Sequence, residues 1–231
     1  MGIVMNKFFV AGTDTEVGKT YVSSCLLRLA FDTGLSSLGL KPIAAGCELN
    51  DGEYQNEDAL ALMKYSSVHL PYSQVNPVAL PDACSPHIAA ANAGKTVSAS
   101  RIAGYCRGAL LSKVDFALVE GAGGWRVPIS PRETMASIAL QLNYPVILVV
   151  GMRLGCINHA LLTAEAIRKD GLKIAGWVAN QLTAERMPYF EDNLSTLKSA
   201  LDAPFIGTVS YGLLDRPENL RNELSLNCLT V

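Results

Sequence analysis

Short apolar runs alternate along the chain with longer stretches whose apolar residues recur every three to four positions. Residues 8–10, 38–43, 116–119, 146–150, 174–179 and 205–209 are largely apolar, as strands buried on both faces are. Between them, residues 21–32, 102–111, 135–142, 159–169 and 189–201 carry helical periodicity. In the first of these it runs through Val22, Cys25, Leu26, Leu29 and Ala30. This alternation predicts the α/β class, with a mostly parallel sheet and helices on both faces. No internal repeat or linker interrupts it, so residues 1–231 are expected to form a single domain. Residues 46–96 break the rhythm. They are rich in Pro, Asn and Ser and hold one short helical stretch, 58–65. A long insertion after a strand is where function concentrates.

In open α/β sheets the ligand lies beyond the carboxyl ends of the strands. The first strand runs into Gly12-Thr13-Asp14-Thr15-Glu16-Val17-Gly18-Lys19-Thr20, and a helix follows. Strand, Gly-bearing loop, Gly-Lys-Thr and helix make the layout of a phosphate-binding P-loop, hence a three-layer fold of the P-loop NTPase type. Backbone N–H groups of the loop and of the first helical turn converge on an anion. Lys19 adds a charge for the β- and γ-phosphates, and Thr20 offers a hydroxyl to Mg²⁺. The spacing departs from the usual motif, because Thr13 stands where a glycine is normal and Gly12 comes one step earlier. Glu16 would repel phosphate, which suits a cradle that also receives a cationic second substrate.

Other strand ends supply further candidates. Glu120 follows the strand 116–119 and opens Gly121-Ala122-Gly123-Gly124. An acid at the tip of a buried strand can hold Mg²⁺, and the glycines let backbone approach phosphate. Asp58 is either a carboxylate favoured by a helix N-terminus or the third oxygen donor beside Thr20 and Glu120. Pro42 restricts Lys41 to an extended conformation that would aim its ammonium over the loop. The stretch 151–158 ends a strand in Gly151 and begins a helix near Asn158, either a plain N-cap or a second anion site.

Composition narrows the function classes. Apolar residues make up 49% and charged residues 17%, with a net charge of −2 and no basic run, which argues against nucleic-acid and membrane-surface binding. Cys25, Cys47, Cys84, Cys106, Cys156 and Cys228 form no CxxC pair, as expected of reduced thiols in a cytoplasmic protein. Cys156 and His159 lack complementary zinc ligands elsewhere. No leader is expected, and Met1-Gly2 lacks the downstream hydroxyl of a myristoylation site because Asn6 stands there.

Taken together, these residues resemble the dethiobiotin synthase family over about residues 8–182. The resemblance covers Gly12 to Thr20, Lys41-Pro42, Asp58-Ala59-Leu60, Asn76-Pro77, Ser85-Pro86-His87 and Val119-Glu120-Gly121-Ala122-Gly123-Gly124-Trp125. It continues through Leu154-Gly155-Cys156-Ile157-Asn158-His159 and Gly176-Trp177-Val178-Ala179-Asn180. The resemblance implies an ATP- and Mg²⁺-dependent ring closure of 7,8-diaminononanoate (diaminopelargonate) with CO₂, through a carbamate and a carbamic–phosphoric anhydride. It implies ATP contacts from Thr13, Asp14, Thr15, Glu16, Val17, Gly18, Lys19, Thr20, Tyr21, Asp58, Glu120, Gly121, Ala122, Gly123, Asn180 and Gln181. Mg²⁺ would fall to Thr20, Asp58 and Glu120, and catalysis to Lys41, Lys19 and Glu16. The diamine would meet Thr15, Lys41, Ala45, Gly124, Leu154, Gly155, Cys156 and Asn158. It would lie across the interface of a homodimer, with the loop 154–158 of one chain receiving its carboxylate. Three positions depart from the family: Ala45 replaces a Ser or Thr, Gln181 replaces an Asp, and 209–212 lacks a Pro. A dimeric regulatory P-loop ATPase would share the fold, but such switches carry a second lysine early in the loop, where Thr13 and Asp14 stand.

Overall fold

A computed structural model describes residues 6–229; the leader and myristoylation expectations at Met1-Gly2 lie outside them. In chain order the amino-terminal half holds β1 (Asn6–Gly12), α1 (Lys19–Asp32), β2 (Ser37–Leu40), β3 (Ile43–Ala44), β4 (Glu48–Asn50), β5 (Glu53–Gln55), α2 (Glu57–Tyr65), α3 (Tyr72–Val75), β6 (Val78–Ala79), α4 (Pro86–Asn92) and α5 (Ala99–Ala109). The carboxy-terminal half holds β7 (Phe116–Gly124), α6 (Met135–Leu142), β8 (Val146–Met152), α7 (Cys156–Lys169), β9 (Ile174–Gln181), α8 (Phe190–Ala200), β10 (Phe205–Val209) and α9 (Leu220–Glu223).

Six strands form the central sheet in the order β10-β9-β8-β1-β7-β2, and every pairing is parallel. Alternate residues of each strand serve opposite faces. Phe8 and Val10 of β1 pack with Val22, Cys25, Leu26 and Leu29 of α1, while Phe9 and Ala11 pack on the side of α5 and α6. Both faces are thus covered, which is why the strands read as apolar runs rather than alternating ones. From β1 the chain goes to β2 and β7 on one side, then crosses to β8, β9 and β10 on the other. A crevice opens beside β1 at such a reversal, at the carboxyl ends of the strands. Among the described residues no helix is long and apolar enough to cross a membrane.

Three expectations need correction. The run 38–43 is not one strand. Pro42 has no N–H and biases Lys41 out of the ladder, so β2 ends at Leu40 and the Lys41 N–H turns to the Val75 carbonyl, 3.0 Å away. Ile43 and Ala44 then pair with Val78 and Ala79 in a separate two-stranded sheet. The insertion 46–96 holds more than one helix: α2, α3 and α4 lie in it, together with the β4–β5 hairpin. Its Pro and Ser residues punctuate short elements instead of marking a long loop. Lastly, α7 starts at Cys156 with Gly155 as its N-cap at φ 93°, so Asn158 sits inside the first turn and does not cap.

Candidate active site

The loop between β1 and α1 wraps around its own lysine. Lys19 is the first residue of α1, and its ammonium donates to the Asp14 carbonyl at 3.1 Å. Two residues of the loop sit in the left-handed region, Glu16 at φ 58° and Gly18 at φ 78°. For Glu16 that conformation costs about 1–2 kcal/mol, and its side chain is exposed at the rim. Gly18 is required on space as well as φ. A Cβ there would lie 2.1 Å from Nδ2 of Asn180, the atom that donates to the Val17 carbonyl at 2.9 Å. Asn180, the last residue but one of β9, is buried, and its Oδ1 has no partner. Val17 itself points inward, with its side chain in the core. Burial, helped by the like charge of Lys41, pushes the Lys19 ammonium down to about 8.

Beside the cradle lies a buried charged cluster. The Lys41 ammonium bonds Glu120 Oε1 at 2.7 Å, Asp58 Oδ2 at 2.8 Å and the Gly121 carbonyl at 3.2 Å. The Thr20 hydroxyl donates to the same Glu120 oxygen at 2.6 Å. Burial works against the charge on Lys41, but Glu120 and Asp58 outweigh it and hold that ammonium above its ordinary value. Burial also opposes the Asp58 carboxylate, and Lys41 more than offsets it, so Asp58 stays below the usual range. Glu120 is wholly buried, yet its Oε2 has no partner. A buried, unpartnered carboxylate oxygen beside a second carboxylate and a hydroxyl fits a hard, oxygen-seeking cation such as Mg²⁺.

Neighbouring segments fix this cluster in place. Asn56 caps α2 by accepting from the Asp58 N–H, and its Nδ2 donates to the Ala45 carbonyl. Tyr72 accepts from the Asn56 N–H and donates to Asn76, whose Nδ2 in turn holds the Lys41 carbonyl at 2.5 Å. Asn56, Tyr72 and Asn76 were not among the candidates. The Asn-x-Asp step at a helix start was a usable signal for Asn56; Tyr72 has none in the sequence.

A cleft of about 850 Å³ collects most of the candidates. Thr15, Glu16, Gly18, Lys19, Thr20, Tyr21, Lys41, Ala45, Asp58, Ala122 and Gly123 all line it. Its far wall is Ala83, Cys84, Ser85 and Pro86, from the insertion. Tyr21 also anchors the carboxy-terminal segment, its hydroxyl accepting from the Leu214 N–H. Thr13, Asp14 and Gly124 line a neighbouring cleft of about 450 Å³ that shares Thr15 and Val127 with the first. Glu120 and Gly121 sit beneath, joined to the large cleft through Lys41. Gln181 borders a third depression, where its Nε2 donates to the Thr183 and Ala184 carbonyls. Leu154, Gly155, Cys156 and Asn158 line neither cleft of their own chain: Cys156 is buried at the start of α7, and the others are exposed.

Comparison with known proteins bears on the same arrangement. A family model described as an AAA domain matches residues 6–215. The ATP-dependent dethiobiotin synthetase BioD of Cellvibrio japonicus (strain Ueda107) is 56% identical over 202 residues, 87% of this chain and 88% of that protein. The protein of the same name from Marinobacter nauticus is 50% identical over 204 residues, 88% of this chain and 87% of that protein. Among solved structures, the Pyrococcus furiosus cell division ATPase MinD superposes with a TM-score of 0.56 at 18% identity, covering 96% of this chain and 91% of that one. Such a likeness speaks for the P-loop fold alone and does not move the regulatory ATPase forward. Sequence identity of that extent, over nearly nine-tenths of the chain, makes this chain a member of the dethiobiotin synthetase family.

Proposed function

We propose that the protein is an ATP-dependent cyclo-ligase that closes diaminopelargonate and CO₂ into dethiobiotin, releasing ADP and phosphate. The observation that carries this is the buried Lys41–Glu120–Asp58–Thr20 cluster against the P-loop lysine, in a chain of this family. One substrate amine would add to CO₂ and lose a proton, giving a carbamate. A carbamate oxygen would then attack the γ-phosphorus as ADP leaves, and the second amine would attack the carbamoyl carbon and expel phosphate.

Each step makes a demand that this chain meets. An anion attacking an anion needs positive charge around the transferring phosphoryl, and Lys19 and Lys41 are the lysines that would supply it. Mg²⁺, held by Thr20, Asp58 and Glu120, would neutralise further charge on the phosphates. Glu16 stands at the rim as partner for a substrate ammonium. Ring closure needs amine and anhydride held together, and good orientation can be worth effective molarities of roughly 10⁵–10⁸ M. Backbone N–H groups of residues 16–20 would cradle the phosphates, since the Thr13 N–H is taken by the Val149 carbonyl and the Thr15 N–H by Asp14 Oδ1, and Asn180, whose Oδ1 has no partner, would meet the base.

Two further parts of the proposal rest on the surface. Leu154 is 94% exposed, and Leu161 and Leu162 of α7 are also open. An apolar patch of this kind beside the loop 154–158 supports a homodimer in which that loop completes the partner's site. All six cysteines are unpaired, which supports a reducing, cytoplasmic setting.

Isotope transfer tests the chemistry. With ¹⁸O-labelled CO₂, one labelled oxygen should appear in inorganic phosphate and the other in the ring carbonyl. Unlabelled phosphate would mean that water attacks ATP, and the ligase proposal would fail.

A further inference from the structure

We infer that, in the ligand-free protein, the Lys41 ammonium occupies the cation position of the cleft, and that a divalent ion must displace it toward the substrate side. This deepens the proposed function and rests on the metal role of Thr20, Asp58 and Glu120. The geometry is direct. Nζ of Lys41 lies 2.7 Å from Glu120 Oε1 and 2.8 Å from Asp58 Oδ2, and the Thr20 hydroxyl shares that Glu120 oxygen. The three groups suited to Mg²⁺ are therefore already gathered around one positive charge. An ion bound to these oxygens at about 2.1 Å would put two like charges within a few ångströms of each other. Both cannot keep their places.

The exchange is confined to one side chain. The Lys41 main chain is pinned on both sides, its N–H to the Val75 carbonyl and its carbonyl to Asn76 Nδ2. Only the four side-chain torsions are free to respond. Space lies on the side of Ala44, Ala45 and Ala122, small residues that line the cleft with Lys41. An ammonium moved there faces the region where the anionic carbamate must meet the phosphates. Metal binding thus arms Lys41: until the ion arrives, two carboxylates neutralise the lysine, and afterwards its charge is available to substrate. The expected order is metal and nucleotide first, anionic substrate second.

Mn²⁺ is the probe, followed by the spin-resonance signal of the free ion in nucleotide-free protein. Lys41→Met should bind Mn²⁺ at least about tenfold more tightly than the unaltered chain, because its site is vacant. Lys19→Met controls for the general field. It removes a nearby cation that contacts the Asp14 carbonyl instead of the carboxylates, so its effect should stay under about threefold. Equal tightening by both variants, or none by Lys41→Met, overturns the exchange while leaving the metal site standing. No Mn²⁺ binding by any of the three, even with ADP, overturns the metal role as well. A second measurement needs no variant. The ¹H–¹⁵N correlation of the buried Lys41 ammonium should shift or vanish on Mn²⁺-free addition of Mg²⁺, and an unchanged signal at saturation contradicts displacement.

Discussion

Replacing Gly18 by Ala tests whether the cradle and the end of β9 act as one unit. The new methyl would sit 2.1 Å from Asn180 Nδ2, a distance no real contact tolerates. Left-handed backbone at φ 78° costs a residue with a Cβ about 1–2 kcal/mol. Moving Asn180 aside breaks its bond to the Val17 carbonyl, and leaving that buried acceptor unpaired costs about 1–3 kcal/mol more. The sum is about 2–5 kcal/mol, read by urea unfolding of the nucleotide-free protein. In an Asn180→Ala background the obstacle is gone, so Gly18→Ala should cost only the backbone part, about 1–2 kcal/mol. ATP titration calorimetry on the same four proteins should show the same non-additivity. An equal cost of Gly18→Ala in both backgrounds would refute the reasoning, since the two residues would then be energetically independent.

Three other outcomes follow from the site. Ala45→Ser restores a hydroxyl at the cleft wall; a hydrogen bond to a charged group is typically worth about 1.5–3 kcal/mol, so KM for the diamine should fall by about tenfold or more, and an unchanged KM counts against the placement. Glu120→Ala strands Lys41 with Asp58 alone and should lower stability toward the low end of about 3–5 kcal/mol; adding Lys41→Met should recover part of the loss, and a further drop would contradict the pairing. In protein without nucleotide or metal, the folded state releases the Lys19 proton near pH 8 whereas the unfolded chain keeps it to about 10.5. The unfolded state binds more protons across that window, so stability contributed by this group rises with pH through it. Lys19→Met should flatten the rise in denaturant midpoints between pH 8 and 10; a rise of the same size would exclude Lys19 as its source.

Much of the fold was legible because both faces of the sheet are covered. Strands such as 146–150 are apolar at every position, and their shortness and β-branched residues favour a buried strand over a helix. The cradle was legible because Gly18, Lys19 and Thr20 follow a strand and open a helix. What escaped was set by long-range hydrogen bonds. Lys41 looked like the tip of a strand, yet Pro42 and Asn76 bend it into the cluster with Glu120 and Asp58. Tyr72 and Asn56 join that network through contacts 16 residues apart, which no local pattern announces. Residue type alone leaves Asn158, near the start of that helix, as either a cap or part of an anion site, whereas Gly155 reaches the left-handed φ more cheaply and takes the N-cap position of α7. Ala45 is visible as a departure in the sequence, and the cleft gives that departure a location next to Lys41.

The most direct test of the central claim is product formation. Purified protein should be incubated with diaminopelargonate, bicarbonate, Mg²⁺ and ATP, with dethiobiotin followed by mass and phosphate measured in parallel. Dethiobiotin and phosphate are expected in equal amounts, dependent on all four components and abolished in Lys19→Ala. Phosphate released without dethiobiotin, or dethiobiotin undiminished in the variant, would contradict the assignment of this cleft as the ligase site.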